Sequence, residues 1–147
     1  MIRVQEEAFD PAAELARFHE NGASGAAVLF VGTVRDQSGE RAVESMTLER
    51  YPGMTEKALA AIEADARRRW ALDDVLVIHR HGRLAPGDSI VLVLTRSAHR
   101  DAAFDAARFL IDWLKTRAPF WKLEAGPQGE AWVEAQASDD EAAGRWR

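Results

Sequence analysis

Five cations stand where the chain changes direction: Arg35, His99, Arg100, Lys115 and Lys122. The chain as a whole carries a net charge of −5, so bulk electrostatics argues against nucleic acid or an anionic membrane as partner. Cations gathered in an acidic protein suit an anionic small molecule or a partner's carboxylate. His99 and Arg100 open a helix, whose free N–H groups and positive dipole end form a cradle for an anion. The plain alternative is an ordinary solvated first turn. Lys122 comes directly after Pro119, Phe120 and Trp121. A lysine among rigid apolar groups loses hydration, which lowers its pKa and equips it for acid–base work. For Lys115 and Lys122 alike the alternative is a solvated surface.

Other chemistries find less support in the residues. The chain has no cysteine, which excludes a disulfide, a thiolate metal site, a cysteine nucleophile or a persulfide on it. If the protein handles sulfur, another molecule carries it. His79 and His81 share a face if they lie on a strand, but no third ligand with metal spacing is near. There is no Walker loop and no dinucleotide fingerprint. Ser97 and His99 are too local for a triad, and no serine sits in a nucleophile elbow.

The elements that must position these cations are read from periodicity and punctuation. The 147 residues suit one domain, 1–147, with a real core; 47% are hydrophobic and 29% charged, as in ordinary globular proteins. No stretch approaches the ~20 apolar residues of a membrane span, and Met1–Glu7 lacks an apolar signal core, so a cytoplasmic setting is expected. Ile2 to Gln5 reads as a strand. Asp10 caps a helix with Pro11 at its first position and Leu15 and Phe18 facing inward, ending at Asn21-Gly22. Ala26 to Val34 is a strong strand in which Gly32 marks a bulge or a close approach. Arg35 and the polar loop 36–40 come next, a common place for function. Val43 to Tyr51 reads as a strand antiparallel to Ala26–Val34. Thr55 to about Trp70 is a helix, and Arg67-Arg68-Arg69 at its end suits the dipole there. Asp74 to His81 and Ser89 to Thr95 are strands, joined through a type II turn at Pro86-Gly87.

The long helix is expected to begin with Ser97 as N-cap and to stop before Pro119. Ala103, Ala106, Ala107, Leu110, Trp113 and Leu114 form its buried stripe. Phe120 to Glu124 and Glu130 to Glu134 are strands around a Gly126–Gly129 turn. The tail 138–147 reads as either a short helix or a frayed end. Strands in adjacent pairs separated by helices predict an α+β fold with a largely antiparallel sheet and packed helices.

The same residues carry a family likeness. Phe30-Val31-Gly32-Thr33-Val34-Arg35, Tyr51-Pro52-Gly53-Met54, His79-Arg80-His81-Gly82, Ala98-His99-Arg100 and Lys115-Thr116-Arg117-Ala118-Pro119-Phe120-Trp121-Lys122 are each weak signals. In this order and spacing they are specific. Over nearly its whole length the chain resembles the catalytic (large) subunit of molybdopterin synthase. The resemblance implies an α/β-hammerhead-like single domain and a sulfurtransferase of molybdenum cofactor biosynthesis. Its substrate would be cyclic pyranopterin monophosphate, converted to molybdopterin by two dithiolene sulfurs. Its partner would be a small ubiquitin-like sulfur carrier with a C-terminal Gly-Gly thiocarboxylate. No bound cofactor or metal is implied.

The family's binding positions fall on Thr33, Val34, Arg35, His99, Arg100, Lys115, Lys122, Leu123 and Glu124, with Lys115 and Lys122 as catalytic groups. Arg35, His99 and Arg100 would hold phosphate and pterin. Lys115 would steer the thiocarboxylate and move protons, and Lys122 would be a second acid or base. Two departures stand out: Leu123 where relatives often have a basic residue, and Gln136 where many have an arginine. Arg145 or Arg147 is the candidate substitute. His99 and Lys115 lie on one helix, roughly 24 Å apart along its axis and on nearly opposite sides. The expectation is therefore a homodimer with shared sites, and a heterotetramer once two small subunits dock. Two rivals stay open: a module that only docks a ubiquitin-like tail, and a metal-free phosphate-ester hydrolase.

Overall fold

The computed structural model describes residues 1–18, 24–133 and 137–146. Two four-stranded sheets carry the chain, with a short two-stranded ribbon between them. The first sheet contains β1 (Ile2–Gln5), β2 (Ala26–Thr33), β6 (Asp74–Arg80) and β8 (Ser89–Ser97), in the order β1-β6-β8-β2. β1 runs parallel to β6, and the other pairs are antiparallel. The central strands are apolar on both faces because both faces are covered. Val75, Val77 and Val93 enter the main core with Leu59, Ile62, Phe109, Leu110 and Trp113. Leu76, Ile78, Leu92 and Leu94 pack with Phe18 of α1 (Pro11–Phe18) on the other side. α1 is capped as expected, with Asp10 Oδ1 accepting from the amides of Ala12 and Ala13 at 3.0 and 3.3 Å.

The ribbon consists of β3 (Gln37–Ser38) and β4 (Arg41–Ala42). The second sheet holds β5 (Ser45–Arg50), β7 (Gly82–Leu84), β9 (Phe120–Gly126) and β10 (Gly129–Trp132), in the antiparallel order β10-β9-β5-β7. This corrects the pairing expected for Val43–Tyr51. That segment does not pair with Ala26–Val34. β8 takes one edge of β2, and the ribbon turns the chain away from the other before β5 begins, so β5 finds β9 and β7 instead.

α2 (Met54–Arg69) buries Leu59, Ile62 and Ala66 as its periodicity requires. The basic cluster at its end is spent locally: Arg67 meets Glu63 and Asp74, Arg68 meets Asp65, and Arg69 donates to the Trp146 carbonyl at 2.6 Å. α3 (Arg100–Thr116) buries every residue of the expected stripe, with Phe109 and Asp112 beside it. Its start differs from expectation. The N-cap is His99, and Ser97 is the last residue of β8, its Oγ donating to the Ala71 carbonyl at 2.9 Å. The β8 ladder keeps Ser97 extended, so the helix can begin only beyond it.

The C-terminal segment forms α4 (Ala137–Gly144) and packs on α3. Trp146 lies just beyond it, set edge-on to Trp70 and Phe109, with its indole N–H donating to Asp112 Oδ2 at 2.7 Å. Among the described residues, no helix is long and apolar enough to cross a membrane.

Candidate active site

β2 ends in an irregularity that sets the direction of Thr33, Val34 and Arg35. The β2–β8 register shifts between Gly32 and Thr33, and a side chain at Gly32 would come within 2.7 Å of Val91 Cγ1. Only glycine lets the two strands close there. Val34 is pinned: its amide donates to the Asp88 carbonyl at 2.9 Å, its carbonyl accepts from Gly87, and its side chain packs with Leu48 and Leu84. Thr33 and Arg35 flank this anchor and are exposed.

They open onto a cavity of about 360 Å³ between the two sheets. Arg35 enters it from the end of β2, Gln37 and Ser38 from the ribbon, Lys115 from the last turn of α3, and Lys122 and Glu124 from β9. Lys122 and Glu124 are two apart on a strand and so share a face. Leu123 faces the other way, pairing with Thr47 and Trp132. Leu123 and Val34 do not line the cavity; both support its wall.

Charge within the cavity is unevenly hydrated. Burial holds the Lys122 amine below the ordinary lysine range, and nearby Lys115 lowers it further, against the opposing pull of Asp139 and Glu124. Lys115 is half-exposed, with its Nζ 3.9 Å from Asp139 Oδ1 on α4. Lys115 is therefore reachable from solvent, while Lys122 has a proton that is easier to remove. By contrast, the cavity beside α1 contains Arg3, Arg17 and Glu14, already paired with one another at 2.6 and 2.5 Å.

His99 and Arg100 are elsewhere. Both are exposed at the opposite end of α3, which runs unbroken for 17 residues. No bend in the helix brings them to the lysines. Gln136 and Arg147 lie outside the described residues. Arg145 lies 4.0 Å from Asp112 and does not line the cavity.

Sequence reasoning missed three contributors. His79, considered from the sequence as half of a metal pair and as part of a family landmark but given no role in the site, forms part of the cavity wall. It is buried, with Nδ1 2.8 Å from the Arg80 carbonyl and its ring stacked on Phe120. His81 lies instead 3.7 Å from Glu6. Among the described residues, no group of three or more His, Asp or Glu is arranged to hold a metal ion. Phe120 was read as a strand start and as an apolar neighbour of Lys122, but not as the ring that meets His79. Asp139 gave no local signal, since its relation to Lys115 exists only once α4 packs on α3.

Comparison with known proteins shows the family. The family model described as "MoaE protein" matches residues 4–117. The molybdopterin synthase catalytic subunit of Pseudomonas aeruginosa is 56% identical over 146 residues, covering 99% of this chain and 97% of that protein. Among solved structures, the molybdopterin biosynthesis MoaE protein of Burkholderia ambifaria superposes with a TM-score of 0.84 at 52% identity, covering 99% of this chain and 97% of the other. Molybdopterin synthase from Staphylococcus aureus gives 0.82 at 30% identity, covering 90% and 96%. By its sequence and its fold, the chain belongs to the MoaE family of molybdopterin synthase catalytic subunits.

Proposed function

We propose that the cavity between the two sheets is where this enzyme transfers sulfur. The sulfur comes from the C-terminal thiocarboxylate of a small ubiquitin-like subunit, and the acceptor is cyclic pyranopterin monophosphate. The product is the dithiolene of molybdopterin. One observation carries this assignment: Lys115 and Lys122 share the cavity with Arg35, and one of the two amines is desolvated. A chain without cysteine needs its sulfur brought in on another molecule, which agrees with a carrier tail.

The roles rest on hydration and charge. Lys115, half-exposed at the mouth, attracts the anionic thiocarboxylate. Lys122, with its lowered pKa, exchanges protons with the reacting groups and stabilises negative charge as it develops. Arg35 suits the substrate phosphate, which it can hold through paired N–H donors. Thr33 and the Gln37 and Ser38 side chains of the ribbon offer polar contacts to the pterin. His99 and Arg100 belong to the same reaction only if a second copy supplies them. We therefore place two chains around a two-fold axis, with Arg35, Lys115 and Lys122 from one and His99 and Arg100 from the other. Two docked small subunits complete a heterotetramer. The reading places the reaction in the cytoplasm.

The deciding experiment mixes the purified chain with thiocarboxylated small subunit and cyclic pyranopterin monophosphate. Dithiolene product is the expected result. Phosphate release without sulfur transfer would instead mark a hydrolase, and tail binding without turnover a docking module.

A further inference from the structure

We propose that His79 is a positioning residue for Lys122: its imidazole, held between the Arg80 carbonyl and the Phe120 ring, docks the start of β9 on β6 and so fixes the amine in the cavity wall. His79 ends the described run of β6 that pairs with β8, in the first sheet. Phe120 opens β9, in the second. Their rings stack at 3.8 Å between centroids with 15° between planes, so this contact joins the two sheets beside the cavity. Phe120, Lys122 and Glu124 alternate along one strand and share its cavity face. Fixing the ring of Phe120 therefore fixes the face that carries the lysine.

The chain entering β9 is also held from behind, where Thr55 Oγ1 donates to the Pro119 carbonyl at 2.9 Å. Removing the stack would leave the start of β9 held by that bond and by its ladder to β5, but no longer fixed against β6, so its cavity face could shift enough to admit water to the amine. The imidazole suits this place because it stays neutral. Burial, with the positive charge of Lys122 nearby, pushes its pKa down to about 4, so it adds no like charge beside the amine. The other charged groups around Lys122 are Lys115 from α3, Asp139 from α4, Glu124 on β9 itself and Arg35 beyond β2. None of them reaches Phe120 through a ring contact of this kind.

The inference rests on the proposed function only for why Lys122 matters, and its test can be read without catalysis. The chain has three lysines, Lys57, Lys115 and Lys122. Label at the lysine ε-carbon therefore gives three resonances, assignable by single Lys→Arg changes. In the unaltered protein Lys122 should titrate below the ordinary lysine range. In His79→Leu it should move up toward that range, and in His79→Phe, which keeps an aromatic ring, it should stay low. Both substitutions lose the bond to Arg80, so their difference isolates the stack. Phe120→Leu breaks the same contact from the other side and serves if His79→Leu does not fold.

In sulfur transfer, His79→Leu should lower kcat about tenfold with KM held within about twofold, because a displaced catalytic group costs rate rather than binding. The double variant His79→Leu with Phe120→Leu should be no slower than the worse single one, since both remove one contact. An unmoved Lys122 resonance in His79→Leu would overturn the proposal. So would a His79→Phe variant as impaired as His79→Leu, or additive losses in the double variant. If the unaltered chain transfers no sulfur at all, the functional reading falls, while the lysine titration still decides the positioning role.

Discussion

The two ends of α3 carry the same kind of side chain in opposite settings. At the C-terminal end, Lys115 joins Lys122 and Arg35 in a concave, partly dehydrated space between two sheets. At the N-terminal end, His99 and Arg100 stand exposed, with no part in that cavity. Charge in a walled cavity acts at low effective dielectric, where each interaction is stronger than in water. Charge on an open helix end gains that strength only when something covers it. The difference is what the proposed two-copy site would need: one wall held within a chain, and a charged helix end that a second copy could use.

The sharpest way to break this comparison is at the walled end. Lys115→Ala should lower sulfur transfer by about 10²–10³-fold, the usual scale for losing one fixed group that stabilises charge at the reacting centre. The fold should survive, because Lys115 is half-exposed and outside the buried stripe. Single-turnover dithiolene formation and a thermal melt, read together, check this. Near-normal product would remove Lys115 from the mechanism, and a large loss of stability would make it structural.

The open end is tested by sharing. A His99→Ala chain and a Lys115→Ala chain, each inactive alone, should regain about one working site per mixed dimer when co-assembled. Dead mixed dimers, or full activity from a monomer, would mean that the exposed end of α3 serves something else.

How much of this was legible depended on the range of the interaction. The α3 stripe from Ala103 to Leu114 is a local pattern, so its period gives it away. The Asp10 cap, the Gly32 irregularity and the turn at Gly87, with φ of 90°, are local as well. The partner of β5 is not local. Both β2 and β9 offered suitable edges, and the choice falls to β9 because the ribbon turns the chain away from β2 before β5 begins. Ser97 failed as a cap for the same reason, since the sheet holds it. The tail was ambiguous because α4 has no clear apolar stripe; its attachment depends on Trp146 reaching Asp112 and Phe109. Of the site residues, Arg35, Lys115 and Lys122 were marked by their places at element ends. His79 was visible, but its meaning depended on Phe120, which another sheet supplies.

The walled end should also be more sensitive to acid. His79 is neutral in the folded chain, with a pKa lowered from 6.5 to about 4. Between those values the unfolded chain binds the extra proton, so stability falls as pH drops from 6.5 toward 4 and the loss is complete below 4. The full shift corresponds to about 3 kcal/mol. His79→Phe has no proton to bind there. Denaturant midpoints at pH 7 and pH 4 should show a smaller acid loss for that variant than for the unaltered protein. Carboxylates such as Glu14 and Glu56, whose pKa values are lowered by their own partners, titrate alike in both and cancel in the comparison. Equal acid losses would mean that His79 is not held neutral.

The smallest expected effect concerns the one cation that reaches the cavity from the end of β2. Arg35 is exposed, and its neighbour Val34 carries the structural bonds, so Arg35→Ala should leave the melting curve unchanged. If Arg35 holds the substrate phosphate, it does so before and during the reaction alike. Uniform binding of that kind appears in KM and spares kcat. Removing it should raise KM about tenfold, the effect of one charge-assisted contact in a half-open site, with kcat within about twofold. Arg35→Lys should recover part of the loss, since a lysine restores charge without the paired N–H geometry. Arg100→Ala, at the other end of the helix, then becomes the informative control. A matching rise in KM would place both arginines on one substrate and so bring the open end of one chain to the cavity of another. A fall in kcat for Arg35→Ala, with KM unchanged, would show that its contact forms only in the transition state and would move Arg35 from holding substrate to driving the transfer.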